Sequence, residues 1–345
     1  TQQIQLRYRG DNPTNWLFEK KSFKIKTKKN ELINNTRSFD YLTYSANLFS
    51  SYYLSKKMLL LTQDAKIVDV NINGKKKGLY IELNRIDESL LRNNRFMPVN
   101  IYKGENQATE RVLGLNGNLL NNTNLWSKLS TFNQRNKNDF SDLKRFLKSL
   151  NKHSSLYSSD VENYVDKEYF SRFEAFLTLT QNIHHDWYHN LRFVSDPWRG
   201  KFYQMITDPI IYENPPGKNF LIDFVSNDFN KHFNVKSDFI HAKYISLYNF
   251  IKKNDVTSDL GEYFETIEND LKNSNIIEPY SLFRTEYISD YKKVLQELNN
   301  NKNKIIKILE KDLNKSYWSF ENNIELVVAQ NTPLSNIDLF YENDL

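Results

Sequence analysis

The sequence predicts an α+β fold: a small β-rich lobe, then a larger, mainly helical lobe, with a cleft between them. Three observations carry this. Apolar residues recur with a period of two through most of the first hundred positions. The period changes to that of helices from about residue 105. One short β-hairpin, near residues 191–206, interrupts the helices. The lobes divide as residues 1–104 and 105–345, which suits a chain of 345 residues.

In the first lobe, Ile4, Leu6 and Tyr8 alternate with polar residues, the pattern of a half-buried strand. Arg9-Gly10-Asp11-Asn12-Pro13 breaks it. The next strand sets Phe23 and Ile25 against Lys24, Lys26 and Lys28. Residues 41–61 lack Gly and Pro and predict a helix. Strands follow at Ile67–Ile72 and Leu79–Leu83. Asn73-Gly74 favours a tight turn between them, although Lys75–Lys77 suggest a longer loop. In the second lobe, Phe140, Leu143, Phe146, Leu147 and Leu150 mark one helix, with Asn138 or Asp139 as its cap. Tyr169, Phe170, Phe173, Phe176 and Leu177 mark another. The hairpin has strands at Leu191–Val194 and Lys201–Ile206. Helices return over His241–Lys253 and Tyr287–Asp312.

Composition narrows the function. There are 23 Phe and 21 Tyr, enough for a substantial core, and only nine Gly and eight Pro, too few for a fibrous or disordered chain. The net charge of +5 is modest for this length and gives no strong sign of nucleic-acid binding. The absence of cysteine excludes disulfides, thiolate metal sites and a Cys nucleophile, and it suits an oxidising compartment. No apolar run is long enough to span a membrane. The chain opens inside a strand pattern, so a processed precursor is expected, with any signal peptide outside this sequence.

Three segments carry chemistry. Arg9-Gly10 before Lys20-Lys21-Ser22-Phe23-Lys24 sets a glycine turn ahead of a basic strand, an arrangement that can meet a phosphate; the same residues also fit a solvated hairpin. His184-His185-Asp186-Trp187-Tyr188-His189-Asn190 follows the helix containing Phe170–Leu179. His185 and His189 have helical spacing for a metal, but no Glu lies between them as zinc proteases require. Asp208 follows the second hairpin strand. The order Asp186, Asn190, hairpin, Asp208 offers one carboxylate to orient an acceptor and oxygen ligands for Mg²⁺.

In this order, the segments resemble the CotH kinase family. The Arg9-Gly10 loop with Lys20–Lys26 resembles its opening loop and basic strand. Val70–Gly74 with Gly78-Leu79-Tyr80 and Arg85-Ile86-Asp87 resembles its central hairpin and the start of the next helix. Ile101-Tyr102-Lys103-Gly104 resembles its Leu-Tyr-Lys element. Asp166 through Asn190 is similar to its catalytic helix and loop, and Gly200 through Asp208 to the strand ending in its Trp-Asp pair. The likeness extends over about residues 4–210.

The resemblance implies an atypical protein-kinase-like fold, ATP with Mg²⁺ or Mn²⁺ as cofactors, and a protein substrate such as a surface or coat protein. It favours a cell-surface, secreted or spore-coat location. Asp186 becomes the catalytic carboxylate, Asp208 and Asn190 metal ligands, Lys20 or Lys21 phosphate contacts under Arg9 and Gly10, and Asn84 a cofactor-site residue. Thr207 replaces the family's Trp, Ile210 an acidic residue and Asn84 a Glu. The helix expected at 41–61 holds no acid to pair with a phosphate-binding lysine. These departures keep open a pseudokinase or scaffold, and the same cleft also suits adenylylation or glutamylation.

Overall fold

The computed structural model describes residues 4–10, 20–28, 30–33, 36–106, 117–131, 137–151, 160–186, 188–215, 217–234, 236–273, 286–310, 316–319 and 325–328. Asp11, Asn12, Pro13, Trp187 and Asp312 lie outside the described residues.

The first sheet is antiparallel, in the order β1-β2-β3-β5-β4: β1 (Ile4–Tyr8), β2 (Phe23–Thr27), β3 (Ser38–Thr43), β4 (Ala65–Ile72) and β5 (Lys75–Asn84). Its outer face carries a small cluster of Phe23, Ile25, Phe39 and Tyr80. Helix α1 (Ala46–Lys57) lies between β3 and β4 in the chain. The short α2 (Glu88–Asn93) follows β5.

A second antiparallel sheet has the order β7-β6-β8-β9: β6 (Asn100–Gly104), β7 (Trp126–Ser130), β8 (Leu191–Asp196) and β9 (Lys201–Gln204). Around it lie α3 (Ser141–Asn151), α4 (Lys167–Thr180), α5 (Asp228–Phe233) and α6 (Ser237–Lys253), followed by α7 (Val256–Asn273) and α8 (Glu286–Leu309). Strands β10 (Ser316–Ser319) and β11 (Glu325–Val328) form a separate pair. The α+β class is as the sequence predicts. Among the described residues, no helix is long and apolar enough to cross a membrane.

Four local expectations change. Residues 41–43 are strand, because Phe39 and Tyr41 pair across to Asn84 and Glu82; the helix begins only after Ser45, whose hydroxyl accepts the Leu48 N–H at 3.3 Å. The hairpin loop is the two residues Asn73 and Gly74, at φ of +53° and +75°, so Lys75–Lys77 belong to β5. Strand β9 stops at Gln204, and Met205 and Ile206 leave the sheet. Strand β1 is exposed along its whole length rather than half-buried, because it forms the sheet's edge.

The core against the second sheet is aromatic. Phe146 of α3 is fully buried; it stacks on Phe202 of β9 at 4.3 Å and meets Phe193 and Phe229 edge-on. Beneath it, Glu174 of α4 is buried and accepts from the Asn230 and Asn234 side chains, the latter at 2.9 Å. Lys243, also buried, bonds Asn234 at 2.8 Å and Asp223 at 2.8 Å. This network ties α4, α5 and α6 together. Burial pushes the Glu174 carboxyl up to about 7, against the pull of Lys243 and the two asparagines.

Two outcomes test this core. Phe146→Ala should cost roughly 3–5 kcal/mol in chemical unfolding. For Glu174, the folded state holds the proton more tightly than the unfolded chain. Its contribution is therefore complete below about pH 4.5 and is lost as pH rises through about 7, on the order of 3 kcal/mol in all. Unfolding midpoints of Glu174→Gln across this window should fall less steeply with pH than those of the parent chain.

Candidate functional site

The site is built around the segment that leaves β9. From Met205 to Tyr212 the backbone has no sheet ladder, yet its N–H groups are satisfied one by one. Met205 N–H donates to Arg192 O (2.9 Å), Ile206 N–H to Leu61 O (2.9 Å) and Tyr212 N–H to Thr180 O (2.8 Å). Thr207 N–H donates to His185 Nε2 at 3.1 Å and Asp208 N–H to the Tyr52 hydroxyl at 3.2 Å. Asn47 of α1 clamps Ile211 reciprocally, accepting its N–H at 2.8 Å and donating to its carbonyl at 2.7 Å. These bonds hold Asp208 at φ of +49°, a left-handed conformation that a non-glycine residue adopts only when its surroundings impose it.

The Asp208 carboxylate is exposed, its side chain 54% accessible. His184 Nδ1 lies 3.4 Å and Asn190 Nδ2 3.5 Å from its Oδ2. Burial pushes this carboxyl up, but the histidine contacts outweigh it and hold it below the usual carboxylate range.

Asp186 lies on the preceding loop. Its Oδ1 accepts the Tyr188 and His189 N–H groups at 2.8 and 2.9 Å, with His189 Nδ1 also at 2.8 Å. Burial again acts upward, and the His189 and backbone hydrogen bonds overcome it, so Asp186 is held ionised. All of these bonds fall on Oδ1.

The histidine pair does not form a metal site. Helix α4 ends at Thr180, with Gln181 in a left-handed cap, so the spacing of His185 and His189 is not helical. His185 is buried, its Nε2 accepting Thr207 N–H at 3.1 Å and its Nδ1 3.1 Å from the Asn182 amide nitrogen. Burial lowers its pKa to about 3. Among the described residues, no group of three or more His, Asp or Glu is placed to hold a metal ion. Mg²⁺ does not need such a cage, because it keeps several waters and takes one or two carboxylates plus substrate phosphates. Asp208, with the Asn190 amide oxygen after rotation of that group, fits such a donor set.

The basic partner comes from β2. Lys24, Asp40 and Arg7 lie in register across β1–β3, on one face. Arg9 Nη1 is 2.9 Å and Lys24 Nζ 3.7 Å from Asp40. Burial lowers the Lys24 pKa; Asp40 opposes this, and the nearby charges of Arg85, Arg7 and Arg9 add to the lowering. Two cations thus meet the Asp40 carboxylate, and Arg85 and Arg7 lie within electrostatic reach of one of them, a local excess of positive charge suited to an anion. The Tyr52 hydroxyl is within electrostatic reach of Asp208, Arg9 and Asp40 alike.

The other sequence-derived residues have different surroundings. Lys20 Nζ donates to Leu79 O at 2.6 Å and lies over the Tyr80 ring, and Lys21 O accepts from the Tyr80 hydroxyl at 3.3 Å. Gly10, at φ of +113°, follows Arg9 on the way out of the strand. Asn84 ends β5; its side-chain oxygen accepts Asp64 N–H at 2.7 Å. It lines a cavity of about 280 Å³ with Phe39, Tyr52, Gln63 and Glu82.

Sequence reasoning missed Lys24, Asp40, Arg85, Tyr52 and Asn47 as site residues. The alternation of Lys24 with Phe23 and Ile25 was a usable signal, since it sets Lys24 on the face opposite the outer cluster. Tyr52 carried none, because a helical tyrosine between apolar neighbours reads as core.

Removing the Tyr52 hydroxyl tests the tether. Tyr52→Phe leaves the Asp208 N–H without its acceptor and should cost about 1–3 kcal/mol. Hydrogen exchange should report faster opening of residues 205–212, with α4 unaffected.

No curated protein matches the sequence. A solved complex of the Shewanella oneidensis MR-1 toxin–antitoxin proteins HipA and HipB with operator DNA contains a chain that is 11% identical. The match covers 84% of this chain and 61% of that one, with a TM-score of 0.38, a likeness too distant to locate any residue. The CotH kinase protein family matches residues 6–322, most of the chain. With an α+β architecture and a match of that extent, the chain belongs to the CotH kinase family and has an atypical kinase-like fold.

Proposed function

We propose that the chain is a protein kinase that transfers the γ-phosphoryl group of ATP, with Mg²⁺, to a hydroxyl side chain of a protein substrate. The observation that carries this reading is that two charge clusters lie within electrostatic reach of the Tyr52 hydroxyl: Arg9 and Lys24 at Asp40, and Asp208 with Asn190. A nucleotide triphosphate bound to a divalent cation needs both. The division into lobes at residues 104 and 105 belongs to the same proposal.

Each residue has a role. Lys24 and Arg9 hold the phosphates beneath the turn at Gly10, and Lys20 and Lys21 anchor that turn to β5 through Leu79 and Tyr80. The cavity beside Asn84 has room for a purine ring. Asp208 and Asn190 offer oxygens to the metal, which neutralises phosphate charge. Asp186 orients the acceptor hydroxyl and takes its proton at Oδ2. As that proton leaves, the acceptor oxygen bonds to phosphorus and the bond to the β-phosphate oxygen breaks, releasing ADP. Asp40 takes the place of the helical acid that α1 lacks, holding Lys24 from a neighbouring strand.

A scaffold without chemistry is the second reading, favoured by the crowding of the Asp208 carboxylate by His184 and Asn190 nitrogens. Adenylylation or glutamylation from the same cleft is a third. Incubation with ATP, Mg²⁺ or Mn²⁺ and a mixture of surface proteins, read by intact mass, separates all three. The kinase reading expects the mass of one phosphate per site; an AMP or glutamate increment, or none, overturns it. Asp186→Asn and Asp208→Asn should each lower turnover by at least about a hundredfold. Lys24→Met should do so with the fold intact, while Lys20→Met should chiefly lower stability.

A further inference from the structure

Outside the cleft, β1 stands apart from the rest of the surface. It is the outermost strand of its sheet, and among the described residues no strand pairs with its outer edge. Its register with β2 runs unbroken from Ile4 opposite Thr27 to Tyr8 opposite Phe23. It contains no proline, lysine or bulge, the usual means of blunting an edge. Ile4, Leu6 and Tyr8 share one face at 49%, 45% and 57% exposure, adjoining the outer cluster through Phe23 and Ile25. Gln5 and Arg7 share the other face, in register with Lys26 and Lys24. One short strand thus presents an apolar stripe, a basic residue, Arg7, beside the β2 lysines, and an open backbone edge.

We propose that β1 docks an extended segment of a partner protein in which apolar residues alternate with Asp or Glu. The segment adds to the sheet as a further strand. The backbone edge supplies hydrogen bonds, and the two-residue period sorts the partner's side chains, apolar ones onto Ile4, Leu6 and Tyr8 and acidic ones toward Arg7 and the lysines. Charge selects this occupant over a second copy of the chain, since edge-to-edge pairing of two β1 strands would set two basic faces side by side. The strand leads directly into Arg9, ion-paired to Asp40, so a docked segment runs toward the candidate reaction centre. Docking needs no nucleotide, so it succeeds or fails independently of phosphoryl transfer.

The test uses the full chain without nucleotide and three labelled peptides: alternating Val and Glu, the same with Lys for Glu, and the Val/Glu peptide with a central Pro. Fluorescence anisotropy should show binding of the Val/Glu peptide, about tenfold weaker at high salt, and little binding of the other two. Hydrogen exchange of residues 4–8 should slow when it binds. Arg7→Glu should abolish binding, and Leu6→Lys should weaken it. Equal binding of the Glu and Lys peptides, or no protection of residues 4–8, overturns the proposal. So does a dimer in sedimentation that Leu6→Lys dissociates, since it would give the edge to a second copy. Should the variants unfold, the Lys and Pro peptides on the unmodified chain still decide the matter.

Discussion

The arrangement of the site depends on one constraint: the chain leaving β9 must satisfy its backbone N–H groups after the regular ladder ends, with β8 beside Met205 and a bridge from Ile206 to Thr62. An unpaired buried N–H costs about as much as a lost hydrogen bond, so every donor in such a segment needs an address. Here the addresses are spread over the molecule: Arg192, Leu61, His185, Tyr52, Asn47 and Thr180 each take one. The segment is thereby stitched to α1, to the connection after it, to the His185 loop and to the end of α4. Asp208 is fixed as a consequence, including its left-handed backbone. Asn301 of α8 completes the set by donating to Tyr212 O at 2.7 Å and Leu179 O at 2.9 Å.

Electrostatics follows from that placement. Once Asp208 sits behind Tyr52, the negative corner of the site is defined, with His184 and Asn190 closing around it. The positive corner is set separately, by the strand period that aligns Arg7, Lys24 and Asp40 across three strands. The two corners meet at the Tyr52 hydroxyl, which a helix without acidic residues provides. A phenol linked to the Asp208 backbone N–H and to Gln63 at 3.3 Å couples α1 to Asp208 without any ion pair. The absence of an acid from this helix is therefore a change in how the helix is tied to the site rather than a missing tie.

Much of this could be read in the sequence, and what could not has physical reasons. The α+β class, the Asn73-Gly74 turn and the helix faces with Phe146 and Phe173 were legible because they depend on local period and turn chemistry. The start of α1 was misplaced because Phe39, Tyr41 and Tyr44 satisfy helical and strand spacing equally, and only pairing to Glu82 and Asn84 decides between them. The half-buried strand expected at β1 is exposed instead, because alternation reports the shape of a strand and not whether anything covers it. Lys24 was not singled out beside Lys20 and Lys21 because which lysine faces Asp40 follows from the cross-strand register, which no local pattern announces. Tyr52 and Asn47 act over more than 150 residues of sequence, on Asp208 and Ile211, and no local pattern announces such contacts.

The central claim is that Lys24 and Arg9, with Asp208 and Asn190, hold a metal–triphosphate. A crystal structure with Mg²⁺ and a non-hydrolysable ATP analogue tests this most directly. The account predicts the ion on the Asp208 carboxylate and the Asn190 amide oxygen, with the phosphates against Lys24 and Arg9. Phosphates seated elsewhere, or a metal that bypasses Asp208, would contradict it.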